Sequence, residues 1–177
     1  MNDISKAYGS GLFQLASENG TVKETLDETR ALGKLFERSY LRILADPSYS
    51  KEERIGMVSA ALDGKVSRHV SNFVKLMTER NLALEIPSCF KEYENLYYET
   101  EGIIRVTAES AVELSGDQKT RLEEKLKKNL GRPVEVTYRL NHSLVGGMRL
   151  LFEGKRIDET IKKKLRDIST RLSRTVI

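Results

Sequence analysis

The stretch YENLYYETEGIIRVTAESA, residues 93–111, contains the point at which the chain changes its structural period. Before Gly102 the apolar residues recur at helical spacing. Phe90, Tyr93, Leu96 and Tyr97 follow Pro87, which suits the first turn of a helix. After Gly102 the run Ile103–Ala111 is rich in β-branched residues and reads as a strand. The charge changes at the same place. Residues 1–102 carry 13 Lys/Arg against 16 Asp/Glu, whereas residues 103–177 carry 17 against 10. Two domains with different partners, 1–102 and 103–177, are therefore expected.

Upstream of this point every signal is helical. A first helix spans Asp3–Glu18 and stops at Asn19-Gly20. Thr21 with Glu24 has the spacing of a capping box for a second helix carrying Leu26, Leu32, Leu35 and Phe36. A segment around Tyr40–Leu44 ends before Asp46-Pro47. Ser50 with Glu53 forms another capping box and opens a helix with Ile55 and Val58. Ser67 caps a fifth helix, on which Val70, Phe73, Val74 and Met77 recur at helical spacing. With the helix after Pro87, these make an N-terminal all-α six-helix bundle.

Downstream, Leu114-Ser115 starts a helix that ends at Gly131, and Val134, Val136 and Tyr138 alternate with polar residues as in a half-buried strand. Leu144–Phe152 reads as a further strand, interrupted by Gly146-Gly147. A last helix carries Ile161, Leu165, Ile168 and Leu172 on one stripe, with Asp158 and Glu159 at its start. The order β-α-β-β-α is that of a small α+β C-terminal domain.

Bulk composition narrows the function classes. The chain has 177 residues, 39% apolar and 32% charged, with no apolar run of membrane-spanning length. MNDISKAYGS has no basic region leading into an apolar core, so a cytoplasmic protein is the expectation. The single cysteine, Cys89, has no partner for an internal disulfide, and His69 and His142 lie in no metal-ligand pattern. Asn19-Gly20-Thr21 and Asn141-His142-Ser143 match glycosylation acceptors and are read as chance matches.

Gly146-Gly147 raises the question of phosphate binding. A phosphate loop places its glycines between a strand and a helix N-terminus, followed by Lys and a hydroxyl residue. Here the pair precedes a strand, and Gly154-Lys155 is followed by Arg156. A bulge or close backbone approach fits better, and no cofactor is expected. No catalytic motif appears, so the chain does not read as an enzyme. Lys162-Lys163-Lys164, Arg166, Arg171 and Arg174 make the last helix basic. A nucleic-acid-binding module acting through this helix is the alternative reading. The helix lacks the aromatics that stack on single strands, and docking of an acidic protein surface fits it better.

The first helix carries the strongest functional signal in the N-terminal half. At about 100° per residue, Ile4, Tyr8, Gly11 and Leu15 share one face, while Gly9, Phe13 and Ala16 lie opposite, with Leu12 between. A surface helix has one apolar stripe; this one is apolar or small over much of its circumference. If one face packs in the bundle, the other is left for a partner helix. The wheel alone does not say which is which.

These segments resemble the family of bacterial F-type ATP synthase delta subunits, the counterparts of the mitochondrial oligomycin-sensitivity-conferring protein. The resemblance runs over essentially the whole length. It rests on Tyr8-Gly9-Ser10-Gly11-Leu12-Phe13, on Asn72-Phe73-Val74 with Arg80, and on a C-terminal signature. That signature is Leu140-Asn141, Ser143-Leu144-Val145-Gly146-Gly147 and Ile157-Asp158, with Glu159-Thr160 where the family usually has Gly-Ser. The resemblance implies a non-catalytic stator subunit without nucleotide or metal, peripheral on the cytoplasmic face of the cell membrane and attached to the membrane only through the complex. It implies that helices one and five form a groove for N-terminal helices of the alpha subunits. Tyr8, Gly11, Leu12 and Leu15, with Phe73, Val74 and Met77, are the residues carried over to it. The C-terminal domain would contact the C-terminal region of the stalk subunit b, and other head subunits would lie nearby. Leu144, Gly146, Gly147, Ile157 and Asp158 are structural signature positions.

Overall fold

The computed structural model describes residues 3–36, 38–144, 148–153 and 164–170. The chain divides into two compact units, residues 1–97 and 98–177.

The first unit is helical: α1 (Asp3–Glu18), α2 (Val22–Leu35), α3 (Arg38–Ala45), α4 (Lys51–Leu62), α5 (Arg68–Glu79), a 3-10 turn at Ala83–Glu85 and α6, which starts at Ile86 and runs to Thr100. Its helix ends are set by local chemistry. Before α4, the Ser50 Oγ accepts from the Glu53 amide at 3.2 Å and Glu53 Oε2 accepts from the Ser50 amide at 2.7 Å, the reciprocal capping box. The box expected at Thr21 does not form, because Thr21 already closes α1. Gly20 adopts φ +67°, its amide reaches Ser17 O at 3.2 Å and the Thr21 amide reaches Ala16 O at 2.9 Å. This Schellman closure holds Thr21 at φ −113°, ψ 26°, away from the extended backbone an N-cap needs. Nor does the Ser67 hydroxyl cap α5. It donates instead to Glu28 Oε2 at 2.5 Å, and the Ser67 amide donates to Glu28 Oε1 at 2.8 Å.

The core of this unit is contributed by every helix. Leu12, Ala16, Leu26, Leu44, Val58, Val74, Met77, Ile86 and Tyr93 are all buried in one cluster. Removing a side chain such as Leu44 from water stabilises the fold by roughly 1.5–3 kcal/mol. Phe90 lies 6.4 Å from Phe36 and 5.9 Å from Phe73, ring centre to ring centre, so α5, α6 and the residue that closes α2 share one aromatic contact.

In the second unit β1 (Ile104–Ser110) lies between β2 (Val134–Leu140) and β3 (Met148–Glu153). β1 and β2 are parallel, Ile104 opposite Val134, and α7 (Gly116–Leu130) is the crossover that a parallel pair requires. β3 runs antiparallel, Arg105 opposite Glu153. Ser115 and Gln118 form the capping box of α7, and Gly131, at φ +66°, ends it. Leu122, Leu126 and Leu130 of α7 pack on Val106, Ala108 and Val134, joined by Leu165 and Ile168 from the helical residues 164–170. Ile161 and Leu172 of the expected stripe lie outside the described residues.

Candidate functional site

α1 presents two apolar faces, and the structure assigns them. Ser5, Gly9, Leu12 and Ala16 are buried against the bundle. A Cβ on Gly9 would stand 2.7 Å from the Cys89 carbonyl oxygen and 2.7 Å from Glu92 Cβ, so glycine is what lets α1 approach α6 this closely. Phe13 is half-buried and meets Tyr93 edge-on at 5.3 Å. Gly11 and Leu15 turn outwards, Leu15 being 42% exposed, while Tyr8 is half-buried against the edge of the core.

This outer face and α5 enclose an open groove of about 720 Å³. Of the residues predicted for it, Tyr8, Gly11, Leu12, Leu15 and Phe73 line it. Val74 and Met77 do not: both are fully buried in the core. They lie with Val70 on the inner stripe of α5, whereas the stripe facing the groove is His69, Asn72, Phe73 and Leu76. Sequence reasoning missed Leu76, whose signal was its spacing of three from Phe73. A Cβ on Gly11 would meet nothing within 4 Å, so this position opens onto the groove.

One end of the groove is polar. His69 Nε2 lies 2.6 Å from Thr25 Oγ1 and 3.2 Å from Ser67 Oγ. Ser, His and Glu thus meet in one place, but not as a catalytic triad. The Ser67 hydroxyl donates its hydrogen bond to the Glu28 carboxylate rather than to the imidazole, so the imidazole is not placed as its base. Burial pushes the Cys89 thiol up to about 11, which keeps it protonated and poorly nucleophilic. Among the described residues no three His, Cys, Asp or Glu side chains converge as a metal cluster would require, and no helix is long and apolar enough to cross a membrane.

The C-terminal signature is described only in part. Asn141 builds the turn after β2: its Oδ1 accepts from the Ser143 amide at 3.1 Å and its Nδ2 donates to Glu109 Oε2 at 3.1 Å. Leu144 closes the turn, its amide donating to Asn141 O at 3.1 Å. Gly146, Gly147, Ile157 and Asp158 lie outside the described residues, as do Lys162 and Lys163 of the basic helix; Lys164 and Arg166 are exposed.

A helical bundle bearing an open apolar groove, followed by a small three-stranded α/β unit, defines a two-unit scaffold. The family model that matches it, over residues 4–172, is described as the ATP synthase delta (OSCP) subunit. The chain belongs to the ATP synthase delta (OSCP) subunit family. It is 31% identical over 170 residues to an ATP synthase subunit delta of Chlorobium chlorochromatii, covering 95% of each chain. It is 29% identical over 177 residues to that of Bdellovibrio bacteriovorus, covering 98% of this chain and 97% of the relative. In fold it resembles a chain of the Toxoplasma gondii mitochondrial ATP synthase hexamer, with a TM-score of 0.68 at 14% identity over 97% of this chain and 98% of that one.

Proposed function

We propose that the chain is a non-catalytic peripheral-stalk subunit of an F-type ATP synthase, acting at the cytoplasmic face of the bacterial membrane through its place in the complex. Its helical unit seats an N-terminal helix of an alpha subunit in the α1–α5 groove, and residues 103–177 contact the C-terminal region of subunit b. Joined in this way, the head cannot turn with the rotor, and rotation driven by ion flow does work on the nucleotide sites. The observation that carries this reading is the groove itself, apolar along Leu12, Leu15, Phe73 and Leu76, in a chain that matches the family over nearly its whole length. A helix laid into such a groove buries its apolar face at three or four anchors. Tagged full-length chain mixed with detergent-solubilised ATP synthase lacking this subunit should recover alpha and b together. Recovery of neither would contradict the reading. Among the described residues nothing favours nucleic acid over this partner set.

A further inference from the structure

The groove is not uniform along its length. Between Tyr8 and Leu15 on α1, and Phe73 and Leu76 on α5, its walls are apolar. At the other end stand Asn19, Thr21, Ser67, Arg68 and His69. Among the described residues Arg68 is the one lining residue with a permanent charge, and no carboxylate lines the groove. It is exposed, and among the described residues it makes no ion pair. As the first residue of α5, its guanidinium adds to the positive end of that helix. Its neighbours are already committed. The Glu28 carboxylate is held by the Ser67 amide and hydroxyl, and the His69 ring is pinned between Thr25 and Ser67. The groove therefore has an apolar barrel and a polar end at which Arg68 is a cation without an ion pair among the described residues.

We propose that Arg68 fixes the polarity of the helix that docks here. The occupant is an amphipathic helix whose apolar stripe meets Leu12, Leu15, Phe73 and Leu76, and whose acidic residue, just beyond that stripe, pairs with Arg68. This rests on the reading of the groove as the seat of an alpha-subunit N-terminal helix. A helix laid in the opposite direction would leave Arg68 facing apolar side chains and its own acid over the apolar end. Arg68 thus adds a charge-based discrimination between the two directions of the docked helix.

The test is calorimetric titration of a synthetic peptide covering the alpha N-terminal helix into the full chain and its Arg68→Lys, Arg68→Ala and Arg68→Glu variants. Each acid of the peptide is also replaced in turn by lysine. Binding should be near wild type for Lys, weaker by about threefold for Ala and by about tenfold for Glu, the range of rim charge pairs. The loss should shrink at 1 M salt. One lysine-bearing peptide should restore binding to Arg68→Glu. Unchanged affinity of Arg68→Glu for the original peptide overturns the polarity inference and leaves the groove reading standing. Absence of any binding to the folded wild-type chain overturns both. A sedimenting dimer that Arg68→Glu dissociates would give the groove to a second copy, and that too overturns the inference.

Discussion

Gly9 faces Cys89 so closely that a Cβ on Gly9 would sit 2.7 Å from the Cys89 carbonyl oxygen. Two residues on, Gly11 faces open space. The two glycines of α1 therefore play different parts, one seating the helix and the other opening onto the groove. Gly9→Ala should destabilise the chain by about 1–3 kcal/mol through overpacking. Gly11→Ala should stabilise it by about 0.4–1 kcal/mol, since the position is helical and unobstructed. Urea unfolding of the two variants reads both signs.

Arg54 supplies a second, independent check on the bundle. It is 6% exposed, and its Nη1 donates to Leu44 O at 3.1 Å and to Asn81 Oδ1 at 2.8 Å. Asn81 sits at φ +57° and closes α5, with the Leu82 amide on Met77 O at 2.7 Å. Asn81→Ala loses both the tolerated left-handed backbone and the acceptor, and should cost about 2–4 kcal/mol. Asn81→Gly keeps the backbone and loses only the acceptor, so thermal melts should place it between wild type and Asn81→Ala.

Much of this could be read before any coordinates, and the failures have definite causes. The span of α1, the box at Ser50–Glu53 and the start and stop of α7 at Ser115 and Gly131 were legible because each depends on residues close in sequence; the Ser115–Gln118 box emerged only with the structure. The Thr21 box failed because the same residue closes the preceding helix, a conflict that spacing does not reveal. On α1 the wheel showed two apolar faces but could not choose between them; the close pass of Cys89 over Gly9 decides it. On α5, Phe73 lies on the boundary between the core stripe and the groove stripe. Val74 and Met77 fell to the core and Leu76 to the groove, a rotation that only the packed bundle determines. Ser5 and Arg54, polar and buried, gave no sequence signal at all.

The sheet carries a charge pattern that stabilises its outer rows. Arg105 stands between Glu135 and Glu153, and Glu109 between Arg139 and Arg149. Glu109 also accepts from Asn141 Nδ2 at 3.1 Å. Glu109→Lys would set three cations in a row and unmake the turn contact. A loss of about 1–2 kcal/mol is expected, partly recovered in 1 M salt.

Alkaline pH should weaken the helical unit. Burial raises the Cys89 thiol from 9.0 to about 11 and the Tyr93 phenol from 10.0 to about 12. Both groups hold their protons to higher pH in the folded chain than in the unfolded one. Stability is therefore complete below pH 9 and declines as pH rises from there through 11 to 12. Denaturant midpoints across that range check the sign. At pH 8, alkylation of Cys89 should be slow in the folded chain and fast once it is unfolded.

The most direct test of the groove as the seat of an alpha-subunit helix is hydrogen exchange of the full chain with and without the alpha N-terminal peptide. Protection should appear across residues 7–19 and 67–76, the two walls of the groove, and leave 104–140 unchanged. Bound peptide with no added protection on α1 and α5, or with protection confined to the sheet, would contradict it.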